Sequence, residues 1–588
     1  MADAMARQGI DTVFGTVGHG NLALVDAFAD VASIRYLPVF HEQVAIHAAD
    51  AYYRVSGRVA VVTTTVGPGA TNLATGLGDA LLDSSAVVVI TGGIPSEYAG
   101  REPLQALSVT VDDAQPEIFR PLAKRVIRVQ RAADLVPQFH RALNEAVSGN
   151  PGPVVLHVPL DFFSARIDPP RQVPVIRPSR PAPEPGVVDE AAGLIAAASK
   201  PLLYCGGGAQ SAAASAAITG LATRFCIPVA TTMSGQGVIS TDHPLSVGVT
   251  GAVGNAVANH AIRQADLIVA LGTRFPEMDA SSWRPEYFAA VPPARLIHVD
   301  IDPRQFNRVL PASVEIFSDA GHAARALNAA LEKSSGPDTV AWLRELAEAR
   351  AGWTASVEAI SQVGAPPFEP AWLLRELRSA LPPEAVLVSG VGIRHAVAQH
   401  FGVYHPRSLI VGSGFGTMGQ EVAAPIGASI ARPGTPVVAV IGDGALLACL
   451  AALPTAAAES LDLVWLVLDN GGYASIAAYQ AKHFGRFLGT KFVDSAGQPL
   501  DFDYVALARS FGVPARRVTA AGDFAPSMRL ALAERGPSVV VVEVIATPRN
   551  LASGHWDVND ILAAGVAGID VAGRRGHDGS EREGGRHG

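Results

Sequence analysis

Short runs of consecutive apolar residues, separated by helical stretches, constrain the fold of this chain more than any other feature. A strand that is apolar at every position, rather than at alternate ones, is buried on both faces. Parallel sheets covered by helices on both sides bury their strands in this way. The sequence therefore predicts an α/β protein built from doubly wound parallel sheets, with strands at 59–65, 86–91, 154–158, 201–205, 267–271, 295–300, 386–389, 437–441, 463–468 and 539–544.

Proline-rich segments divide the chain into blocks. Residues 168–186 carry eight prolines or glycines and read as an extended connector, with further breaks at 333–338 and 366–370. At 588 residues the chain is too long for a single core. We predict an N-terminal domain at 1–167, a central Rossmann-like domain at 187–333, a C-terminal domain at 365–550 and a disordered tail at 573–588.

Composition excludes several classes of protein. Hydrophobic residues make up 49% and charged residues 17%, which rules out a largely disordered chain. The net charge of −9 indicates no basic face for nucleic acid or anionic lipid. The N-terminus has no apolar signal-peptide core, and the apolar run near 436–453 is too short to span a membrane. Three scattered cysteines fit a reducing, cytoplasmic location.

The strongest local motif follows two neighbouring strands of the third block. Gly442-Asp443-Gly444 comes after the strand at 437–441 and opens a helical stretch at 445–459, and Asn470-Gly471-Gly472 follows the strand at 463–468. One βαβ unit places both motifs at the same sheet edge. Carboxylate, amide and carbonyl oxygens suit Mg²⁺, and a helix N-terminus suits phosphate. Gly-Asp-Gly alone could be a simple helix cap; the paired Asn470 motif argues for the metal and phosphate site.

These motifs resemble those of thiamine diphosphate-dependent enzymes, in the branch of the acetolactate synthases. The resemblance covers roughly residues 10–550. It implies a metal held by Asp443, Asn470 and the Gly472 carbonyl, and cofactor contacts at Gly442, Gly444, Ala445 and Tyr473. Ala445 departs from the serine common in the family, so a hydroxyl contact to the diphosphate is expected to be lost while the backbone N–H remains.

Two further segments resemble the same family. His41-Glu42-Gln43, followed by Gly67-Pro68-Gly69-Ala70-Thr71-Asn72, is similar to the pyrimidine-binding domain, and implies that Glu42 protonates the aminopyrimidine ring and that Asn72 also contacts the cofactor. In the segment 414–419, Gly416 and Met418 are implied to grip that ring. Taken alone, Glu42 could be a solvated helix-end charge and 414–419 a glycine-rich turn with Met418 in the core.

The middle block carries glycines and an acid at strand ends, as nucleotide-binding folds do. By resemblance, the candidate flavin contacts are Gly206, Gly207, Gly208, Arg274 and Asp300. A lone Gly-Gly-Gly is weak evidence, and many relatives keep this block without flavin. We therefore favour a nucleotide-like domain that serves only in packing, with FAD as the alternative.

The resemblance implies decarboxylation of a 2-oxo acid to an enamine intermediate and carboligation to an acceptor, in a homodimer or homotetramer whose sites lie between chains. Tyr479 stands where acetolactate synthases have a tryptophan, and the stretch at 110–113 differs from theirs. Tentative substrate-pocket residues are Ser475, Ile476, Tyr479 and Gln480.

Other residues favour a different activity. Gly18-His19-Gly20-Asn21 resembles the N-terminal loop of trihydroxycyclohexanedione acylhydrolases, and His19 is either a proton shuttle or a hydrogen-bonded loop histidine. A hydrolase of a cyclic 1,2-dione or a simple 2-oxo acid decarboxylase is therefore the alternative function. A non-catalytic protein on this fold would be expected to lose Glu42 or a metal ligand, and it has lost neither.

Overall fold

A computed structural model describes residues 1–168, 173–362, 364–546 and 548–567 of the chain. The predicted tail at 573–588 lies outside these residues. Within them the chain forms three six-stranded sheets, each fully parallel and each with helices on both faces. The predicted α/β class and the three doubly wound sheets are confirmed. The exact domain limits stay a prediction, although the three sheets fall within them.

The first sheet has the strand order β2-β1-β3-β4-β6-β5. Its strands are β1 (Thr12–Gly15), β2 (Arg35–Pro38), β3 (Ala60–Thr64), β4 (Val87–Gly93), β5 (Arg125–Arg128) and β6 (Val154–Pro159). Its helices are α1 (Ala2–Arg7), α2 (Leu22–Asp26), α3 (Glu42–Ser56), α4 (Pro68–Thr71), α5 (Ala74–Leu82), α6 (Gln115–Phe119) and α7 (Leu135–Val147).

The central sheet has the order β12-β11-β10-β7-β8-β9, which is the strand order of dinucleotide-binding Rossmann folds. Its strands are β7 (Pro201–Cys205), β8 (Val229–Thr231), β9 (Ser246–Val249), β10 (Leu267–Leu271), β11 (Arg295–Asp300) and β12 (Val314–Phe317). The helices are α8 (Pro185–Ala197), α9 (Ala212–Phe225), α10 (Ala256–Gln264), α11 (Ala320–Leu331) and the long α12 (Val340–Ile360) that leads to the third domain.

The third sheet, in the order β14-β13-β15-β16-β18-β17, repeats the connectivity of the first. Its strands are β13 (Val386–Ser389), β14 (Leu409–Val411), β15 (Val437–Gly442), β16 (Leu463–Asp469), β17 (Ala515–Val518) and β18 (Pro537–Glu543). The helices are α13 (Pro370–Ala380), α14 (Arg394–His400), α15 (Gln420–Ala431), α16 (Asp443–Ala448), α17 (Ala452–Ala458), α18 (Ala474–Phe484), α19 (Tyr504–Ser510), α20 (Ala521–Ala533) and α21 (Val558–Ala567).

Two details differ from the sequence-based expectation. The helical stretch expected at 445–459 is two helices, α16 and α17, with a break around Cys449. The proline-rich connector ends earlier than expected, because Pro185 and Gly186 already form the first turn of α8. Proline is favourable there, since the first helical N–H has no partner to lose. Among the helices of the described residues, none is both long and apolar enough to cross a lipid bilayer.

Helices α3 and α15 pack the first domain directly against the third. Both are buried along most of their length and contribute to one hydrophobic core shared by the two sheets. The two backbones come so close that a Cβ atom at Gly427 would lie 1.8 Å from the Ala48 carbonyl oxygen. The contact therefore needs a glycine at position 427, and it fixes the orientation of the two domains within a chain.

Candidate active site

The Glu42 carboxyl group is held by two donors of its own domain. Glu42 is the first residue of α3, after the N-cap His41, whose ring accepts the Gln43 N–H. Its Oε1 accepts a hydrogen bond from the Thr16 hydroxyl at 2.6 Å, and its Oε2 accepts one from the Asn72 amide at 2.8 Å. The structure thus brings together Glu42 and Asn72, two of the predicted cofactor-binding residues, and it adds Thr16, which the sequence analysis missed.

The loop that carries His19 is fastened on both sides of that residue. Gly18 donates its N–H to the Asn21 side chain at 2.9 Å, and Gly20 donates to the Thr65 hydroxyl at 3.0 Å. His19 itself is exposed at the turn of this loop, which begins at Thr16 beside Glu42. The loop therefore presents the imidazole outward from the edge of the first sheet at which Glu42 lies.

Asp443 and Asn470 meet at the carboxyl edge of the third sheet. Strands β15 and β16 are neighbours, and Gly442 is paired with Leu468. The fully buried Asp443 carboxylate accepts the N–H of Gly444 at 2.8 Å through Oδ1. Its Oδ2 accepts the N–H groups of Asn470, Gly471 and Gly472 at 3.1, 2.8 and 3.3 Å. Burial raises the pKa of Asp443, and these N–H groups oppose that rise.

The side chain of Asn470 fits a metal ion. Its Oδ1 is buried and has no hydrogen-bond partner in the described part of the chain. A buried amide oxygen without a partner is unfavourable unless a ligand satisfies it. With the Asp443 carboxylate adjacent, the donors present are hard oxygens of the kind that Mg²⁺ prefers.

The Tyr473 ring packs against Gly444 next to this sheet edge. A Cβ atom at Gly444 would lie 2.7 Å from the Tyr473 ring, so only glycine allows the ring to cover the start of α16. The Tyr473 ring packs edge-on against Phe492, with the centroids 5.2 Å apart. Ala445, which follows Gly444, is buried in the first turn of the same helix.

Gly416 and Met418 lie in a loop that a second buried acid fixes. Gly416 and Gly419 both have positive φ angles, and the Met418 side chain is half exposed. The buried Glu421 carboxylate accepts the Gly419 N–H at 3.0 Å and the Val391 N–H at 3.4 Å. It thereby joins this loop to the turn that follows β13. Burial raises the pKa of Glu421 to about 7. The sequence analysis did not single out Glu421.

Helix α18 carries the four residues predicted to line a substrate pocket. Ser475 and Ile476 are exposed on its first turn. Tyr479 lies between His483, whose ring is stacked on it at 6.3 Å, and Trp556, which meets it edge-on at 5.8 Å. Gln480 instead holds the following loop: it donates to the Leu488 carbonyl and accepts from the Thr490 hydroxyl.

Four of the five predicted flavin contacts line one cavity of about 210 Å³ between the domains: Gly207, Gly208, Arg274 and Asp300. Gly206 has a different reason to be glycine, since a Cβ atom there would lie 2.3 Å from the Gly272 carbonyl oxygen. Burial raises the pKa of Asp300 to about 6. Three further arginines, Arg54, Arg180 and Arg407, also border the cavity.

Comparison with known proteins agrees with this geometry. Three family models match successive parts of the chain: the N-terminal TPP binding domain of thiamine pyrophosphate enzymes at residues 1–114, their central domain at 188–327 and their C-terminal TPP binding domain at 390–542. The chain belongs to the thiamine pyrophosphate enzyme family.

Curated relatives indicate a branch of the family to which the chain is similar in sequence. The chain is 34% identical to the acetolactate synthase large subunit of Parasynechococcus marenigrum, over 92% of this chain and 86% of that protein. It is 33% identical to the acetolactate synthase of Mycobacterium bovis, over 97% and 90%. It is 32% identical to the acetolactate synthase isozyme 2 large subunit of Escherichia coli, over 92% and 94%. The protein is thus a thiamine pyrophosphate-dependent enzyme of the acetolactate synthase type.

The family match places each cluster in a domain named for binding thiamine pyrophosphate, the same compound as thiamine diphosphate. The matched N-terminal TPP binding domain contains Glu42 and Asn72, and the matched C-terminal one contains Met418, Asp443 and Asn470. Within one chain, the hydrogen bonds of the Glu42 carboxylate stay in the first domain and those of Asp443 stay in the third. These two clusters, which we call the Glu42 half-site and the diphosphate half-site, therefore share none of these hydrogen bonds within one chain.

Proposed function

We propose that this enzyme decarboxylates a 2-oxo acid and joins the remaining fragment to a second carbonyl compound, the reaction that its resemblance to acetolactate synthases implies. The observation that carries the proposal is the unpartnered Asn470 amide oxygen beside the Asp443 carboxylate. It indicates a metal site, and in a thiamine pyrophosphate enzyme a metal would anchor the cofactor that serves as electron sink for C–C bond cleavage next to a ketone.

Different residues of the chain would bind the metal, bind the diphosphate and transfer the proton. Asp443, Asn470 and the Gly472 carbonyl would hold Mg²⁺, and the N-terminus of α16 at Gly444 and Ala445 would face the diphosphate. When bound, thiamine diphosphate supplies the carbon nucleophile and the electron sink. Glu42 would exchange a proton with the aminopyrimidine ring, while Thr16 and Asn72 keep its carboxyl group in place.

A complete site would need two copies of the chain. Both half-sites are bordered by exposed apolar side chains, which a monomer gains nothing by exposing. Val17, Leu22 and Phe40 flank the Glu42 half-site. Phe415, Met418, Tyr473 and Ile476 flank the diphosphate half-site. We infer a homodimer, or a homotetramer built from it, in which each site combines the Glu42 half of one chain with the Asp443 half of the partner.

The proposed activity is tested by product analysis. Purified enzyme is incubated with thiamine diphosphate, Mg²⁺ and pyruvate, and the products are identified by NMR. Acetolactate is the expected product, and omission of Mg²⁺ should abolish it. Acetaldehyde alone would make the enzyme a decarboxylase instead. Turnover of a cyclic 1,2-dione, with none of pyruvate, would contradict the proposal in favour of the hydrolase.

We further propose the cavity between the domains as a flavin site. Supporting it are the dinucleotide-type strand order of the central sheet, the four predicted contacts that line the cavity, and its arginines, which suit a diphosphate. The enclosed volume is below that of typical cofactor pockets, so bound FAD would extend beyond it. The visible absorption spectrum of the purified protein tests this: absence of flavin after reconstitution with FAD would leave the domain a packing unit.

A further inference from the structure

Arg394 lies at the edge of the third sheet that carries the metal site. Strand β13 pairs with β15, with Ser389 opposite Val440, and Gly390 donates its N–H to the Val440 carbonyl at 2.8 Å. Arg394 follows one short turn later and is the first residue of α14. Since β15 runs on into Asp443, the arginine and the metal site leave the sheet at the same edge.

The neighbours of Arg394 are fixed by packing between the central and third domains. Ile393, Ala396 and Val397 belong to one hydrophobic cluster with Met233 and Val253 of the central domain, and Met278 packs against that cluster. The next residue along from Met278 is the buried Asp279, whose Oδ1 accepts the Met233 N–H at 2.8 Å. Arg394 is thus held where the two domains meet above the sheet edge.

Two groups act on the charge of Arg394. Burial lowers the pKa of Arg394, while the Asp279 carboxylate and the Tyr479 hydroxyl raise it. Tyr479 is one of the predicted substrate-pocket residues on α18, the helix that follows the metal ligand Asn470. The groups that act on the guanidinium thus belong to the central domain and to α18, the helix that carries the predicted substrate-pocket residues.

What distinguishes Arg394 is the missing partner. Burial lowers the pKa of five arginines in the described residues. The other four donate to backbone carbonyls: Arg350 to Ser246, Arg378 to Leu381, Arg407 to Tyr53 and Arg432 to Val55. Across the described ranges, Arg394 has no hydrogen bond within 3.5 Å and no salt bridge within 4.0 Å. The Asp279 carboxylate therefore acts on it only from beyond 4.0 Å, and a largely buried cation without a direct partner is costly unless a ligand supplies the anion.

We propose that Arg394 binds the carboxylate of the 2-oxo acid substrate. A guanidinium matches a carboxylate with two parallel N–H bonds, and such a pair is both strong and directional. The inference rests on the proposed function, because it assumes a substrate with a carboxylate. The other anion expected at this edge is the diphosphate of the cofactor, and the experiment separates the two sources.

The test compares wild type with Arg394→Met, which keeps an unbranched apolar stem and removes the guanidinium group with its charge. Arg535→Met, at a side chain that is 95% exposed, serves as the control. Loss of a charge-assisted pair should raise KM for pyruvate about 10- to 100-fold. Affinity for thiamine diphosphate, measured by tryptophan fluorescence at saturating Mg²⁺, should stay within about twofold. Arg394→Lys should reverse part of the rise in KM, since it restores the positive charge without the two parallel N–H donors.

A binding measurement keeps this inference separate from the activity. Calorimetry with oxamate, an unreactive analogue of pyruvate, should show binding to the wild-type holoenzyme and to Arg535→Met but not to Arg394→Met. If pyruvate is not turned over while this pattern holds, the proposed function fails and the role of Arg394 stands. Unchanged KM and oxamate binding in Arg394→Met would overturn the inference. So would a loss of thiamine diphosphate affinity with unchanged KM, which would assign the arginine to the cofactor.

Discussion

Glu42 is held by Thr16 and Asn72, so its position does not depend on its own charge. Replacing Glu42 by glutamine keeps the shape of the side chain and removes only the titratable proton. We expect turnover to fall by at least ~10²-fold, the scale of a lost general acid, with Mg²⁺-dependent binding of thiamine diphosphate largely intact. Steady-state kinetics and cofactor titration measure this. Glu190→Gln, on the exposed side of α8, is the matched control, and full activity of Glu42→Gln would remove Glu42 from its role.

Besides Glu421, the buried acid Asp79 lies beside the loop that carries Met418. Asp79 of α5 is fully buried, 3.5 Å from the His47 ring of α3, and neither oxygen has a hydrogen-bond partner within the described ranges. Burial, together with the charges of Asp50 and Asp83, raises the pKa of Asp79 to about 7. Burial likewise lowers the pKa of His47 to about 3. The neutral forms of both groups are therefore the favoured ones.

The pH dependence of stability should report the ionisation of Asp79. Because the pKa of Asp79 is raised in the folded state, the native state holds an extra proton on this carboxyl group between about pH 4 and pH 7, and the contribution of Asp79 to stability falls as pH rises through that window. Asp79→Asn removes this loss. Its free energy of unfolding relative to wild type should increase by up to a few kcal/mol between about pH 5 and about pH 8. Urea unfolding at both pH values checks this, and a pH-independent difference would contradict it.

At this scale the sequence could predict the residues that sit in local motifs. Glu42, Asp443 and Asn470 each follow or precede a recognisable strand and turn, and the family match places them in TPP binding domains. Thr16, Glu421 and Arg394 could not be found in this way. Each is defined by a partner far along the chain, or by the lack of one, and only the folded structure reveals that.

The crossing of α3 and α15 is the element on which the domain arrangement depends. Gly427→Ala would place a methyl group against the Ala48 carbonyl. The atoms that this methyl group would meet belong to the Ala48 backbone, which cannot rotate away. Overpacking of this kind costs typically 1–3 kcal/mol, and the 1.8 Å approach argues for the upper end, about 3 kcal/mol. Gly220→Ala is the matched control, because this exposed position in α9 has open space around it and gains about 0.5–1 kcal/mol of helix propensity.

Thermal unfolding of the two variants tests whether the contact between α3 and α15 is rigid. A lower Tm for Gly427→Ala, with an equal or higher Tm for Gly220→Ala, supports a rigid contact between the two domains. A neutral Gly427→Ala would mean that the helices can separate slightly at no cost.

Element prediction worked where burial on both faces leaves a continuous apolar run. The central strands β3, β4, β7, β10, β15, β16 and β18 were all expected, and all are buried along nearly their whole length. The strands that were missed are mostly short or lie at a sheet edge, such as β2, β5 and β17, where exposed arginines interrupt the pattern. Their pairing comes from a neighbouring strand rather than from their own composition.

At the scale of the whole molecule, the proposed two-chain site predicts that a single chain is inactive alone. Glu42→Gln and Asp443→Asn should each give an inactive homodimer, because each removes one half of every site. A mixed dimer is different. It pairs the intact Glu42 of one chain with the intact Asp443 of the other, which rebuilds one of its two sites.

Complementation therefore tests the two-chain site directly. The two inactive variants are mixed, dissociated at low protein concentration and allowed to reassociate with thiamine diphosphate and Mg²⁺. Random pairing makes half of the dimers mixed, so about a quarter of wild-type activity should return. A double variant carrying both changes, mixed with wild type, controls for recovery by mere refolding, since its mixed dimers contain no rebuilt site. If Glu42 and Asp443 of the same chain formed one site, mixing would restore nothing, and the exposed apolar borders of the half-sites would need another partner.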